Sequence, residues 1–288
     1  MDAYLSCNQC GKCCNSGPSL AFSEIFKYQD KFVMGLFCQA QSDRAFPADK
    51  VDESLIIDHL GKLFGRLNTW QGGIFLQFFP MDIGYSILQG YSCDHLDPTG
   101  ACALHDDKPS MCRSVPFDPV LPESQQAFKL DSFMSLFECA SSEGSDENLI
   151  YRDGQITNES YRRGFEAKLK DFQDNVKYQS LMAHWANSDD SFLPPVQYFI
   201  DAANRGARVE VSIIFYLTAY LNENPNQKQQ RTQQIIDFCD SQITLTENLI
   251  SKAVSRKVKS DLERTRALRE NIHQLKTMRA SCLDEMKY

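Results

Sequence analysis

Cys7, Cys10, Cys13 and Cys14 fall within eight residues, as Cys7-Asn8-Gln9-Cys10-Gly11-Lys12-Cys13-Cys14. A thiolate is a strong ligand for soft or borderline metals, and two cysteines separated by two residues can turn around one ion. Gly11 permits the backbone conformations that such a knuckle requires. Side chains of adjacent residues point apart, so Cys13 and Cys14 either feed two sites or divide into one ligand and one supporting thiol. A second constellation follows at Cys93, Cys102 and Cys112, with Cys139 beyond. Asp97-Pro98-Thr99-Gly100 is a turn signal that folds the segment between Cys93 and Cys102 back on itself, so that both sulfurs can face one site. Arg113, next to Cys112, favours thiolate; it is read either as a surface arginine or as a donor to cluster sulfurs. His95 and His105 are read as surface or hydrogen-bonded histidines, with replacement of a cysteine ligand as the alternative. Cys38, Cys239 and Cys282 lie in apolar surroundings and are assigned to the core, where free cysteine is common.

These residues match a known pattern. The chain resembles the YkgJ-type cysteine-cluster family, a zinc- or iron-chelating domain with a CxxCxxCC signature. The matching residues are Cys7-x-x-Cys10-Gly11-x-Cys13-Cys14, Cys93, Gly100-x-Cys102, Lys108-Pro109-x-x-Cys112-Arg113-x-Val115-Pro116 and Cys139. The match departs from the family at Lys108, where arginine is usual, and at Val115 and His105, where aromatics are common. The resemblance implies metal binding through the eight cysteines 7, 10, 13, 14, 93, 102, 112 and 139, with an iron–sulfur cluster or zinc as the cofactor. Bacterial flagellin lysine methylases look like distant members, so a protein lysine methylase role is one alternative. A structural zinc protein, acting as a protein–protein interaction module through its C-terminal helices, is the other.

Composition narrows the classes. The chain has 288 residues, of which 42% are hydrophobic, enough for one large or two ordinary domains. Its net charge of −8 argues against a general nucleic-acid binder. The first residues carry neither a basic region nor an apolar stretch, so no secretory signal is expected. The longest apolar run, 211–221, is too short for a membrane span and reads as a buried helix. Eleven cysteines, an odd number, without a signal point to a reducing compartment and metal chemistry rather than disulfides. A bacterial, cytoplasmic metal-binding protein is the expectation, with a redox or protein-modifying role and without a membrane partner. There is no Walker loop, GxGxxG or GxSxG.

The elements that must position these cysteines form an α+β, mostly helical fold. Cysteine density divides the sequence near residue 145, giving a cysteine-cluster domain (1–145) with short strands and a helical domain (146–288). Residues 22–37 and 54–67 carry helical spacing. Residues 73–79 and 84–88, aromatic or β-branched and bounded by Gly and Pro, are expected strands. Helices are expected over 159–186 and from 194 to about 222, with a break at Gly206. Asn224-Pro225 is a helix start, with Asn as N-cap and Pro at the first position. From 226 to 288 there is neither Gly nor Pro. A single straight helix there would span roughly 95 Å, so a break is expected at Thr244-x-x-Glu247 or Ser260-x-x-Glu263, both capping-box patterns. Residues 251–288 hold ten Lys/Arg against five Asp/Glu, a local +5 that leaves −13 for the rest. This is read as a solvated face, with anion or partner binding as the alternative.

Overall fold

The computed structural model describes residues 1–6, 11–13, 17–41, 52–64, 69–70, 74–84, 93–185 and 194–287. The fold is α+β and mostly helical. Among the described residues, two four-stranded antiparallel sheets organise it. The first has the order β5-β1-β6-β7 and uses β1 (Ala3–Leu5), β5 (Ala140–Ser141), β6 (Leu149–Arg152) and β7 (Gln155–Ile156). The second has the order β3-β4-β2-β8 and uses β2 (Met34–Gln41), β3 (Thr69–Trp70), β4 (Ile74–Asp82) and β8 (Val209–Val211).

Helix α1 spans Glu53–Phe64; of the helix expected over 54–67, residues 65–67 lie outside the described residues. The short α2 (Ser110–Ser114) carries Cys112, and α3 is Ala127–Leu136. The helix expected over 159–186 divides at Asn175 into α4 (Glu159–Asp174) and α5 (Val176–Trp185). The next stretch breaks at Gly206, which has φ +67°, into α6 (Val196–Asn204), strand β8 and α7 (Ile214–Asn222). The run 211–221 is therefore the end of a strand followed by a helix rather than one helix. Asn224 does cap the next element, its side chain accepting from Asn226 N. The long C-terminal stretch is a helical hairpin, α8 (Lys228–Arg256) and α9 (Lys259–Glu285). Its break lies at Lys257, which takes the left-handed conformation at φ 56°, and Val258 is the N-cap of α9. Thr244 lies inside α8, its hydroxyl donating to Asp240 O, and Ser260 falls in the first turn of α9 rather than at its cap.

The expected helix over 22–37 is corrected. A 3-10 turn at Phe22–Glu24 leads through turns to Lys31, and β2 begins at Met34. The run 32–37 is continuously apolar, and periodicity cannot separate a buried strand from a buried helix there. Gly35 decides the local packing, since a Cβ on it would stand 2.8 Å from the Ile83 side chain. The strand expected at 73–79 is β4; of the one expected at 84–88, residues 85–88 lie outside the described residues.

The largest apolar core mixes Leu20, Phe22, Ile25, Phe32 and Leu36 with Tyr178, Phe199, Tyr216, Phe238 and Leu275. Packing and pairing therefore cross residue 145, where cysteine density changes. Two buried glutamines close backbone bonds that no strand supplies. Gln179 Oε1 accepts from Phe78 N at 2.7 Å. Gln242 accepts from Met34 N and donates to Gln29 O and Phe32 O, each at 2.8 Å. Cys38, Cys239 and Cys282 are all buried in this core.

Candidate metal centre

Among the described residues, Cys93 and Cys102 lie on one hairpin, Cys112 on a short helix, and Cys139 beside β1. The hairpin 93–102 is built by Asp97, whose Oδ1 accepts from Thr99 N (2.8 Å), Thr99 Oγ1 (2.6 Å) and Ala101 N (3.0 Å). The Thr99 hydroxyl leads the contacts that hold this carboxyl below its usual range. Gly100 completes the turn at φ +90°, and Leu96 bridges to Cys102. The turn read from the sequence thus sets Cys93 and Cys102 at its base.

Helix α2 delivers Cys112, and its start is held from an unexpected direction. The buried carboxylate of Glu24 accepts from Ser110 N (2.7 Å), Ser110 Oγ (3.1 Å) and Ala21 N (2.9 Å). Behind α2 runs α4, in direct contact with it. At Gly164 a Cβ would stand 2.5 Å from the carbonyl oxygen of Arg113. Only glycine allows this approach.

The described residues Ser6, Gly11 and Lys12 meet the other cysteine segments. Ser6 N donates to Cys139 O at 2.9 Å, in continuation of the β1–β5 pairing. Gly11, at φ +69°, lies against the hairpin, where a Cβ would stand 3.0 Å from both Gly100 O and Leu96 Cδ1. Lys12 pairs with Glu138 at 3.7 Å. Cys7, Cys10 and Cys14 lie outside the described residues; Cys13 is exposed, and Cys93, Cys102, Cys112 and Cys139 are partly buried. Among the described residues, no three His, Cys, Asp or Glu side chains gather closely enough to hold an ion by themselves.

Cys93 and Cys102 act electrostatically on Cys112, and Cys102 acts on Cys93. Burial first, then repulsion from Cys93 and Cys102, pushes the Cys112 thiol up to about 12. Burial leads again at Cys93, with Asp82, Cys102 and Asp94 adding to it, and pushes that thiol up to about 11. Both are neutral thiols at neutral pH, and only a bound cation would convert them to thiolates. His95 is turned away as a hydrogen-bonded histidine: Nε2 meets Lys31 O at 3.1 Å, and the ring stands edge-on to Phe32. His105 and Arg113 are exposed.

Sequence reasoning did not find Glu24, Gly164 or Lys168. Gly164 alone left a trace, as an isolated glycine inside a helical pattern. Glu24 acts through Ser110, a partner distant in sequence, and Lys168, buried on α4, carries no local sequence signal.

The class that follows is a cysteine-rich metal-binding module built into an α+β frame. Residues 6–134 match the model of the CxxCxxCC family, described as "Putative zinc- or iron-chelating domain", so this segment of the chain is similar to that family. No curated protein and no solved structure matches the chain. Among the described residues, no helix is long and apolar enough to cross a membrane.

Proposed function

We propose that the chain holds an iron–sulfur cluster or zinc through Cys7, Cys10, Cys13, Cys14, Cys93, Cys102, Cys112 and Cys139. Residues 1–145 are the metal-binding unit in this reading, and 146–288 are the helical frame behind it. The observation that carries the reading is the bracketing of residues 7–10: Ser6 is bonded to Cys139 on one side, and Gly11 rests on the Gly100 turn on the other. The donor set fits the group, since thiolates suit both zinc and iron–sulfur clusters. Eight thiols exceed what one zinc ion needs, which favours an iron–sulfur cluster, although two zinc ions use eight equally well. A cluster supplies redox chemistry; zinc in a closed thiolate shell supplies folding energy.

Anaerobic purification with zinc and iron analysis and a visible spectrum tests this. Iron with a broad visible band supports the cluster, and zinc in a colourless protein supports the structural centre. A chain with intact cysteines that retains neither overturns the reading.

A second reading, an interaction module through the C-terminal helices, is favoured by the tip of the α8–α9 hairpin. There Val254, Val258 and Leu262 are exposed among Lys252, Arg256, Lys257 and Lys259. Sedimentation at rising concentration tests its simplest form, self-association, which Val258→Asp should abolish.

A further inference from the structure

Lys168 is only 2% exposed. Its Nζ lies 4.9 Å from the centre of the Phe172 ring and makes no hydrogen bond or ion pair among the described residues. It borders a small cavity with Phe22, Phe78 and Phe172. A methionine would fill the same aromatic surroundings without any desolvation penalty, so what the lysine adds there is charge.

Its position says what that charge faces. Lys168 is one helical turn beyond Gly164, on the face of α4 that meets α2. Glu24, bound to Ser110 at the start of α2, is the largest opposing influence. Burial drives the amine toward its neutral form; Glu24 first, then Asp171, Cys112 and Asp118 pull it back toward the ammonium. Glu24 already accepts three hydrogen bonds, so its oxygens are satisfied without the lysine. Cys112, by contrast, becomes negative only when a metal takes its proton, and a four-thiolate zinc site carries a net −2.

We propose that Lys168 is the buried counter-charge of Cys112: its ammonium offsets the negative charge that this thiol acquires on binding metal, and so sets the affinity without touching the ion. This rests on the metal-binding reading above.

The test uses the full chain, stripped of metal and titrated with zinc against a chromophoric chelator near neutral pH. Lys168→Met should weaken zinc binding by at least about tenfold, equivalent to about 1.4 kcal/mol. The thermal midpoint of the metal-free protein should stay level or rise, because a desolvated amine has been removed. Lys168→Arg, which keeps the charge, should bind more tightly than Lys168→Met. Unchanged zinc affinity in Lys168→Met overturns the counter-charge while leaving the metal reading intact. A fall in the metal-free midpoint that accounts for the lost affinity overturns it in favour of simple packing. A wild-type chain that takes up no zinc under these conditions overturns the counter-charge as stated; an iron-loaded preparation would still separate that result from failure of the metal reading.

Discussion

Gly164→Ala tests whether α4 carries the helix of Cys112. In an ordinary helix interior this change stabilises by about 1 kcal/mol, because alanine loses less backbone freedom than glycine. Here the added Cβ would stand 2.5 Å from Arg113 O and 2.8 Å from Arg113 C, whereas carbon contacts settle at about 3.5–4.0 Å. The neighbour is backbone and cannot rotate away, so α2 must retreat by about 1 Å. Overpacking of this kind costs about 1–3 kcal/mol. The steric term offsets or outweighs the helix gain, leaving a net loss of up to about 2 kcal/mol, or up to about 6 °C in the thermal midpoint for a chain of this size. The same retreat displaces Cys112 by a large fraction of a metal–sulfur bond of about 2.3 Å, so zinc affinity should fall more than stability does. Calorimetry of the metal-free and zinc-loaded chains, together with a chelator-competition titration, measures both. A midpoint raised by the ordinary helix gain, with zinc affinity unchanged, would refute the contact between α2 and α4.

Three further outcomes are expected. Glu24→Gln turns an amide nitrogen toward donors that now meet a carboxylate, and should lower stability in urea by about 2 kcal/mol; an unchanged midpoint would remove Glu24 as the anchor of α2. The thiols at Cys93 and Cys112 are pushed up to about 11 and about 12 from an unfolded value near 9.0. Between those limits the native state keeps protons that the unfolded chain has lost, so metal-free stability should be level below about pH 9 and fall from there toward about pH 12. Urea titrations across that range check it, and Cys112→Ser should flatten the slope. Gly11→Ala meets both a left-handed backbone and Gly100 O at 3.0 Å, and should lower metal per chain by elemental analysis while leaving the helical signal of the far half intact.

What the sequence made legible was local. The Asp97 turn works because a carboxylate reaches backbone donors two and four residues on, and the type and spacing of those residues announce it. Asn224-Pro225 reads correctly for the same reason, since a cap is satisfied within one turn. The cysteines announce themselves by density alone. The break at Lys257 was hidden because a lysine takes a conformation usually left to glycine, held by the hairpin that follows. Strand β2 was hidden because the apolar run 32–37 puts apolar residues on both of its faces and erases the alternation that marks a strand. Its partner β8 lies about 170 residues away, and no local pattern encodes such a pairing. Glu24, Gly164 and Lys168 belong to this second kind, each defined by what another segment brings against it.

The pairing of β1 has a consequence for the order of events on the ribosome. Ala3 lies opposite Tyr151 and Leu5 opposite Ala140, so the strand that leads into the first cysteines is synthesised long before either of its neighbours. At translation speeds of about 5–20 residues per second, roughly 7–30 seconds pass before that sheet can close. During this interval the N-terminal thiols are on a nascent chain with no fixed surroundings, open to metal donors and to oxidants alike. Both fates stay open to those thiols until the sheet closes.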